Sequence, residues 1–184
     1  VTLASVRERD QQDPLAHFKQ RFALPEGVLY LDGNSLGAQP MAAKQAVTNT
    51  LDQWRDELIK GWNQGWFDAP ERLGNLLAPI IGARHGEVSV TDNITLNIFK
   101  LLGYIWQQRP AERQAVLSEG GNFPTDGYIA QGFCRVSGAE HSFLPEDGDL
   151  AAHLDGVAVV VLSQVNYRTG KLRDIAATTK LIND

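Results

Sequence analysis

The chain has 184 residues, with 17 Lys and Arg against 22 Asp and Glu for a formal charge of −5, and an ordinary balance of 43% hydrophobic and 21% charged residues. An acidic chain with no Lys/Arg run lacks the electrostatic footprint of a nucleic-acid binder, and no apolar run approaches the ~18 residues a membrane span needs. The polar start, Val1 to Asp13, does not read as a secretory signal, and the single cysteine, Cys134, leaves no disulfide framework or CxxC site, so a reducing, cytoplasmic setting is expected.

Residues Pro14 to Leu24 read as a short helix closed by Pro25-Glu26-Gly27. Val28 to Leu31 follows as a short strand, broken by Asp32-Gly33-Asn34-Ser35-Leu36-Gly37. Pro40 suits the first turn of a helix reaching about Lys60, striped by Ala43, Ala46, Val47, Leu51, Trp54 and Leu58. A loop from Gly61 to Pro70 carries Trp62 and Trp66, both expected to be exposed, before a helix from Glu71 to Ile81. From there strands and helices alternate: strand 87–90, helix 93–107, strand 114–118, helix 124–132, strand 156–162, helix 174–182. The run Val157-Ala158-Val159-Val160-Val161 suits a strand covered on both faces. Alternation of this kind predicts an α/β fold with a mainly parallel sheet and flanking helices. The chain stops at Asn183-Asp184 just after a helix, where another strand is due, so it is expected to be truncated.

Three loops at expected strand ends carry chemistry, and such ends are where an α/β sheet binds ligands. Thr91-Asp92-Asn93-Ile94-Thr95 opens a helix that is apolar nearly all round, so it should be central. Its free N–H groups suit a phosphate, although capping by Asp92 or Asn93 accounts for the same residues. Asn122-Phe123-Pro124-Thr125-Asp126 puts an aromatic face and a carboxylate three residues apart, a pairing that suits a planar cationic heterocycle; taken alone, the loop is better explained by a buried Phe and a capping Asp. Ser163 to Gly170 follows the valine-rich strand, as a working loop or as a polar turn. The glycines match neither GxGxxG nor a P-loop, and His17, His85, His141 and His153 are scattered without metal-ligand spacing, each expected at the surface or in a cap. No metal is expected.

Read together, these loops resemble kynureninase, a pyridoxal-phosphate enzyme of the aminotransferase-like superfamily. The likeness runs almost the whole chain, through Tyr30 to Gly37, Val90-Thr91-Asp92 with Asn97 and Phe99 to Leu102, Ser118-Glu119, Asn122 to Asp126, Tyr128 to Gly132 and Asn166 to Gly170. It implies a type I pyridoxal-phosphate-dependent transferase-like large domain, truncated, with residues 1–60 as an arm and helices and 61–184 as the first part of that domain. It implies hydrolysis of L-kynurenine, or its 3-hydroxy form, to anthranilate or 3-hydroxyanthranilate and L-alanine in tryptophan catabolism. The enzyme would be a cytoplasmic homodimer with active sites at the interface. Pyridoxal 5′-phosphate would be held by Ile94 and Thr95 at its phosphate, by Phe123, Pro124, Thr125 and Asp126 around its ring, and by Ser163. Trp62, Asn34 and Ser35 would face substrate. The family's Schiff-base lysine, in a Tyr-Lys pair after an Asp-x-x-His stretch, falls beyond residue 184. None of Lys19, Lys44, Lys60, Lys100, Lys171 and Lys180 has that context, so no catalytic residue is expected in this segment and it should not turn over alone. A non-catalytic α/β fragment, or a relative such as a cysteine desulfurase, would share the scaffold; the Phe-Pro-Thr-Asp loop argues against the latter, where a His commonly stacks on the ring.

Overall fold

The computed structural model describes residues 2–183, which fall into two compact units that divide between Ser89 and Val90.

The first unit opens with α1 (Leu3–Gln12). Thr2 caps it by accepting from the Ser5 N–H at 3.3 Å, while the Ser5 hydroxyl oxygen accepts from the Thr2 N–H at 3.2 Å. The helix buries no side chain, so local capping, not packing, holds it. The helix expected over 14–24 is only a 3-10 stretch, Ala16–Arg21, because Phe22 and Ala23 leave it to form β1 (Phe22–Ala23). That strand pairs antiparallel with β2 (Gln39–Pro40). The strand expected over 28–31 does not form. A strand exists only with a ladder partner, and here Leu29 and Leu31 stand 82% and 81% exposed.

α2 (Met41–Glu57) starts after Pro40, and a 3-10 stretch, Leu58–Gln64, leads to α3 (Ala69–Ile81), which ends at Gly82 with φ 75°. Trp62 is exposed as expected, but Trp66 is not. Its indole N–H donates to the Gln53 side chain at 2.8 Å, and its ring lies so close to Gly61 that a Cβ there would sit 2.8 Å away. Residues 87–90 form no strand either. The Asn75 side chain takes the Gly86 N–H at 2.7 Å, and Gly74 of α3 lets Val88 cross so closely that a Cβ would meet its carbonyl oxygen at 1.9 Å.

The second unit is a three-stranded parallel sheet in the order β4-β3-β5, from β3 (Ala115–Glu119), β4 (Glu140–Leu144) and β5 (Val157–Val161). This is the mixed α/β architecture expected. α4 (Ile94–Gln108) and α5 (Pro124–Ser137) cover one face, where Leu102, Trp106, Ala130, Phe133 and Cys134 pack on Val116 and Val159. The Phe133 ring meets Phe99 and Trp106 edge-on, at 5.8 and 6.1 Å between centroids. On the other face Leu117, Leu144, Leu150 and Val157 form a second cluster, against which Ile182 of α6 (Ile175–Asn183) packs.

Two expectations need correction. β4 was not anticipated, since Glu140-His141-Ser142 carries no apolar alternation. Its ladder with β3 supplies what the side chains do not, and His141 is half-buried in it, sharing a 3.0 Å hydrogen bond with the buried Ser118 hydroxyl instead of lying in a cap. Nor is α4 covered all round: Leu102 and Trp106 are buried, whereas Ile94, Leu101 and Tyr104 are bare. Among the described residues no helix is long and apolar enough to cross a membrane, and no group of three metal-ligating side chains occurs.

Candidate functional site

The carboxyl ends of β3 and β5 build the site. After Glu119 the chain turns through Gly120, whose N–H donates to the Leu144 carbonyl at 2.8 Å, so the loop hugs the end of β4. A Cβ on Gly120 would approach that same oxygen at 3.0 Å. Asn122 then precedes Phe123, and Pro124 takes the first turn of α5, where its missing N–H costs nothing.

Asn122 is the hub. Its side-chain oxygen accepts from the Phe123 N–H at 2.7 Å and from the Ser163 hydroxyl at 2.5 Å. The β5 side answers: Tyr167 sets its ring against Phe123 at 5.1 Å and 69°, and the Asn166 amide donates to the Gly121 carbonyl at 3.3 Å. The oxygen of Asn166 accepts from the N–H groups of Arg168 and Thr169 at 2.9 and 3.0 Å, which rolls up the turn before Gly170. Arg173 returns to pair with Glu119, whose second oxygen takes the Ser163 N–H at 3.5 Å. Phe123 and Ser163 are thus brought together through Asn122, and the Asp126 N–H donates to the Phe123 carbonyl at 3.0 Å. Pro124 and Thr125 lie exposed in the same first turn.

Burial pushes the Asp126 carboxyl above the usual carboxylate range. No Lys, Arg or His forms an ion pair with Asp126 among the described residues. It is a half-buried acid without a cation.

At the start of α4, Asn93 accepts from the Leu96 N–H at 2.9 Å, so the capping explanation holds for that donor. The N–H groups of Ile94 and Thr95 have no partner among the described residues. Asp92, at φ 32°, is occupied by Lys100, which holds its carboxyl below the usual range. No hydrogen bond or ring contact joins Ile94 or Thr95 to the Asn122 cluster among the described residues. Asn34 and Ser35 lie exposed in a turn where Tyr30 donates to the Leu36 carbonyl at 2.5 Å, and Trp62 is exposed; all three belong to the first unit.

A cavity of about 430 Å³ opens at the strand ends, lined by Glu119, Leu144, Ser163, Asn166, Lys171 and Arg173 among others. Of the expected site residues only Ser163 lines it. Asn122, Tyr167, Glu119 and Arg173 went unassigned from sequence. An Asn directly before a Phe-Pro helix start was the available signal for the first; the ion pair spans 54 positions and has no local signature.

No family model matches the chain. It is similar to kynureninases of Burkholderia pseudomallei (strain 1106a), at 46% identity over 181 residues, and of Pseudomonas fluorescens, at 46% over 184 residues. A kynureninase of Burkholderia mallei (strain SAVP1) is 45% identical over 181 residues. These alignments take in 94–95% of this chain but 44% of each relative, so the chain spans less than half the length of the curated relatives it matches.

Proposed function

We propose that this chain is the cofactor-cradling part of a kynureninase, an enzyme that hydrolyses L-kynurenine, or its 3-hydroxy form, to an anthranilate and L-alanine. The observation that carries the reading is the joining of two strand-end loops, Phe123 and Ser163 both donating to Asn122, one turn before the half-buried Asp126, which lacks a cation partner among the described residues. A protonated pyridine nitrogen supplies that cation, and two unpartnered N–H groups at a helix start suit a phosphate. The residues present therefore fit pyridoxal 5′-phosphate.

When bound, that cofactor acts as an electron sink for the carbanion left on loss of the substrate's α-proton. The chain's own work is holding and tuning. Phe123 offers its ring face to the pyridine, with Tyr167 fixing its tilt. Asp126 would pair with the ring N–H and hold that proton in place, and the positive charge would favour the ionised carboxylate. Ile94 and Thr95 would donate to the phosphate, and Pro124 and Thr125 would shape the first turn of α5 near the ring. The Ser163 hydroxyl donates to Asn122, which would hold the loop after β5 beside the cofactor. Trp62, Asn34 and Ser35 are assigned to the substrate side, in a cytoplasmic homodimer whose active sites lie at the subunit interface. Residues 61–184 are taken as the first part of the cofactor-binding domain and 1–60 as the arm leading to it. The lysine that anchors the cofactor covalently is assigned to sequence outside this chain.

The test is an isotherm with 4′-deoxypyridoxine 5′-phosphate, which has no aldehyde to react with surface lysines. Saturable one-site binding, weakened about tenfold or more by Asp126→Asn, is expected from loss of a charge-assisted hydrogen bond. Binding indifferent to Asp126→Asn and Phe123→Ala would overturn the reading.

A further inference from the structure

We propose that Asn166 is a positioning residue of this site: one end of its side-chain amide folds the turn that carries Tyr167, the other straps that turn to the loop before Phe123, and Tyr167 is thereby held against the Phe123 ring. The loop after β5 doubles back on itself. Val165 bridges Leu172 antiparallel, and the Arg173 N–H donates to the Gln164 carbonyl at 2.7 Å. Beyond the bridge lies the tip, residues 166–171. It is closed by the Asn166 N–H on the Lys171 carbonyl at 3.0 Å and the Gly170 N–H on the Asn166 carbonyl at 2.9 Å. The base of this hairpin is tied to the β3 side by Ser163 on Asn122 and by Arg173 on Glu119. The tip has one hydrogen bond to that side among the described residues, from the Asn166 Nδ2 to the Gly121 carbonyl at 3.3 Å, across 45 positions.

Both ends of the amide are assigned by backbone groups with a single role. The N–H groups of Arg168 and Thr169 can only donate, and they meet Oδ1 at 2.9 and 3.0 Å. The Gly121 carbonyl can only accept, so it calls for the NH2. A reversed amide would lose all three bonds. Tyr167 follows directly, and its ring meets Phe123 at 69° with centroids 5.1 Å apart. Each of the two residues is 50% exposed, so packing alone holds neither in place. The strap lies one residue before Tyr167 and two before Phe123, and it fixes the distance between them. The use of that fixed distance, a Phe123 face set in one plane for a flat ring, rests on the cofactor reading above. The strap itself is a property of the unliganded chain.

Two variants keep the turn and cut the strap. Asn166→Asp retains an oxygen for the Arg168 and Thr169 N–H groups but sets a second oxygen against the Gly121 carbonyl. It also adds charge beside Glu146, whose Cδ and the Asn166 Nδ2 both stand 3.5 Å from where a Cβ on Gly121 would be. Asn166→Ser keeps a short accepting hydroxyl for the turn, adds no charge and does not reach Gly121; it also serves if the aspartate variant does not fold. The first readout is the set of NMR cross-peaks between the Tyr167 and Phe123 rings in the unliganded 184-residue chain. They are expected in the wild type and should be lost in both variants, while the Thr169 N–H keeps the small temperature coefficient of a hydrogen-bonded amide. Cross-peaks that persist in Asn166→Ser overturn the inference, whatever any ligand does, and a loss confined to Asn166→Asp overturns it in favour of repulsion from Glu146. The second readout is the dissociation constant of 4′-deoxypyridoxine 5′-phosphate, expected to rise about three- to tenfold in both variants for one lost hydrogen bond. Wild-type affinity in both variants overturns the role at the site. A wild-type chain that does not bind the ligand removes the cofactor reading, and the ring cross-peaks alone then decide the Asn166 assignment. A lower urea midpoint with both signals unmoved would make Asn166 merely structural and overturn the proposal.

Discussion

Replacing Arg173 with Met tests how the site loop is held. Arg173 follows the antiparallel bridge between Val165 and Leu172, and its guanidinium pairs with Glu119 at the end of β3. The side chains are 25% and 11% exposed, so Glu119 in particular has little water to fall back on. Removing one partner of a buried pair costs about 3–5 kcal/mol, because the other charge is stranded. Partial exposure of Arg173 discounts that figure to about 2–3 kcal/mol. The remaining contact to Glu119, the Ser163 N–H at 3.5 Å, is too long to compensate. Native-state hydrogen exchange at Val116, Leu117 and Val160 reads the second unit alone, and rates there should rise about 30- to 150-fold. Glu119→Gln combined with Arg173→Met should recover most of the loss, since no charge is then stranded. An Arg173→Met chain exchanging within about twofold of wild type would refute the reasoning.

Three other outcomes follow from particular contacts. Gly74→Ala should destabilise the first unit by about 2 kcal/mol or more, since the new methyl group meets the Val88 carbonyl and not a yielding side chain; an unchanged urea midpoint would contradict the crossing. His141 is held below the ordinary histidine value of about 6.5 by burial. Its folded-state pKa is depressed, so its contribution is complete above that value and is lost as pH falls below it toward the folded-state pKa. Stability of the second unit should therefore drop on acidification through that window, and His141→Gln should flatten this part of the profile; an identical slope in the variant counts against it. Asp126 runs the other way. Its folded-state pKa is raised, so its ionised form at neutral pH works against folding, and Asp126→Asn should make the unliganded chain more stable at pH 7 while weakening cofactor binding. Equal or lower stability in that variant would remove the tension between folding and function proposed for this residue.

The sequence was most legible where local pattern and tertiary demand agree. The valine run of β5, the Pro starts of α2 and α5 and the Gly stop of α3 all signal through near neighbours, and each element forms close to where it was expected. Reading failed where the deciding partner is remote. Val28 to Leu31 has the residues of a strand and no ladder to join. Glu140 to Leu144 lacks the pattern of a strand and forms one because β3 offers its edge and Ser118 a partner for His141. The helix expected to be central, α4, reveals the same limit: its apolar residues are real, but only one side is covered within the described unit. At the proposed site, Phe123 and Asp126 could be singled out from sequence because an aromatic and an acid three apart at a helix start suggest a ligand once the other loops are read with them. Asn122 and the Glu119–Arg173 pair were not, because their roles depend on a loop more than 40 positions away.

The central claim is that two helix starts and the loop after β5 grip one phosphorylated ring. Amide NMR of the chain titrated with 4′-deoxypyridoxine 5′-phosphate tests it most directly. The account predicts that the N–H signals of Ile94 and Thr95 shift along with those of Phe123, Asp126 and Ser163, all with one dissociation constant. Shifts confined to one of these groups, or constants that differ between them, would contradict it.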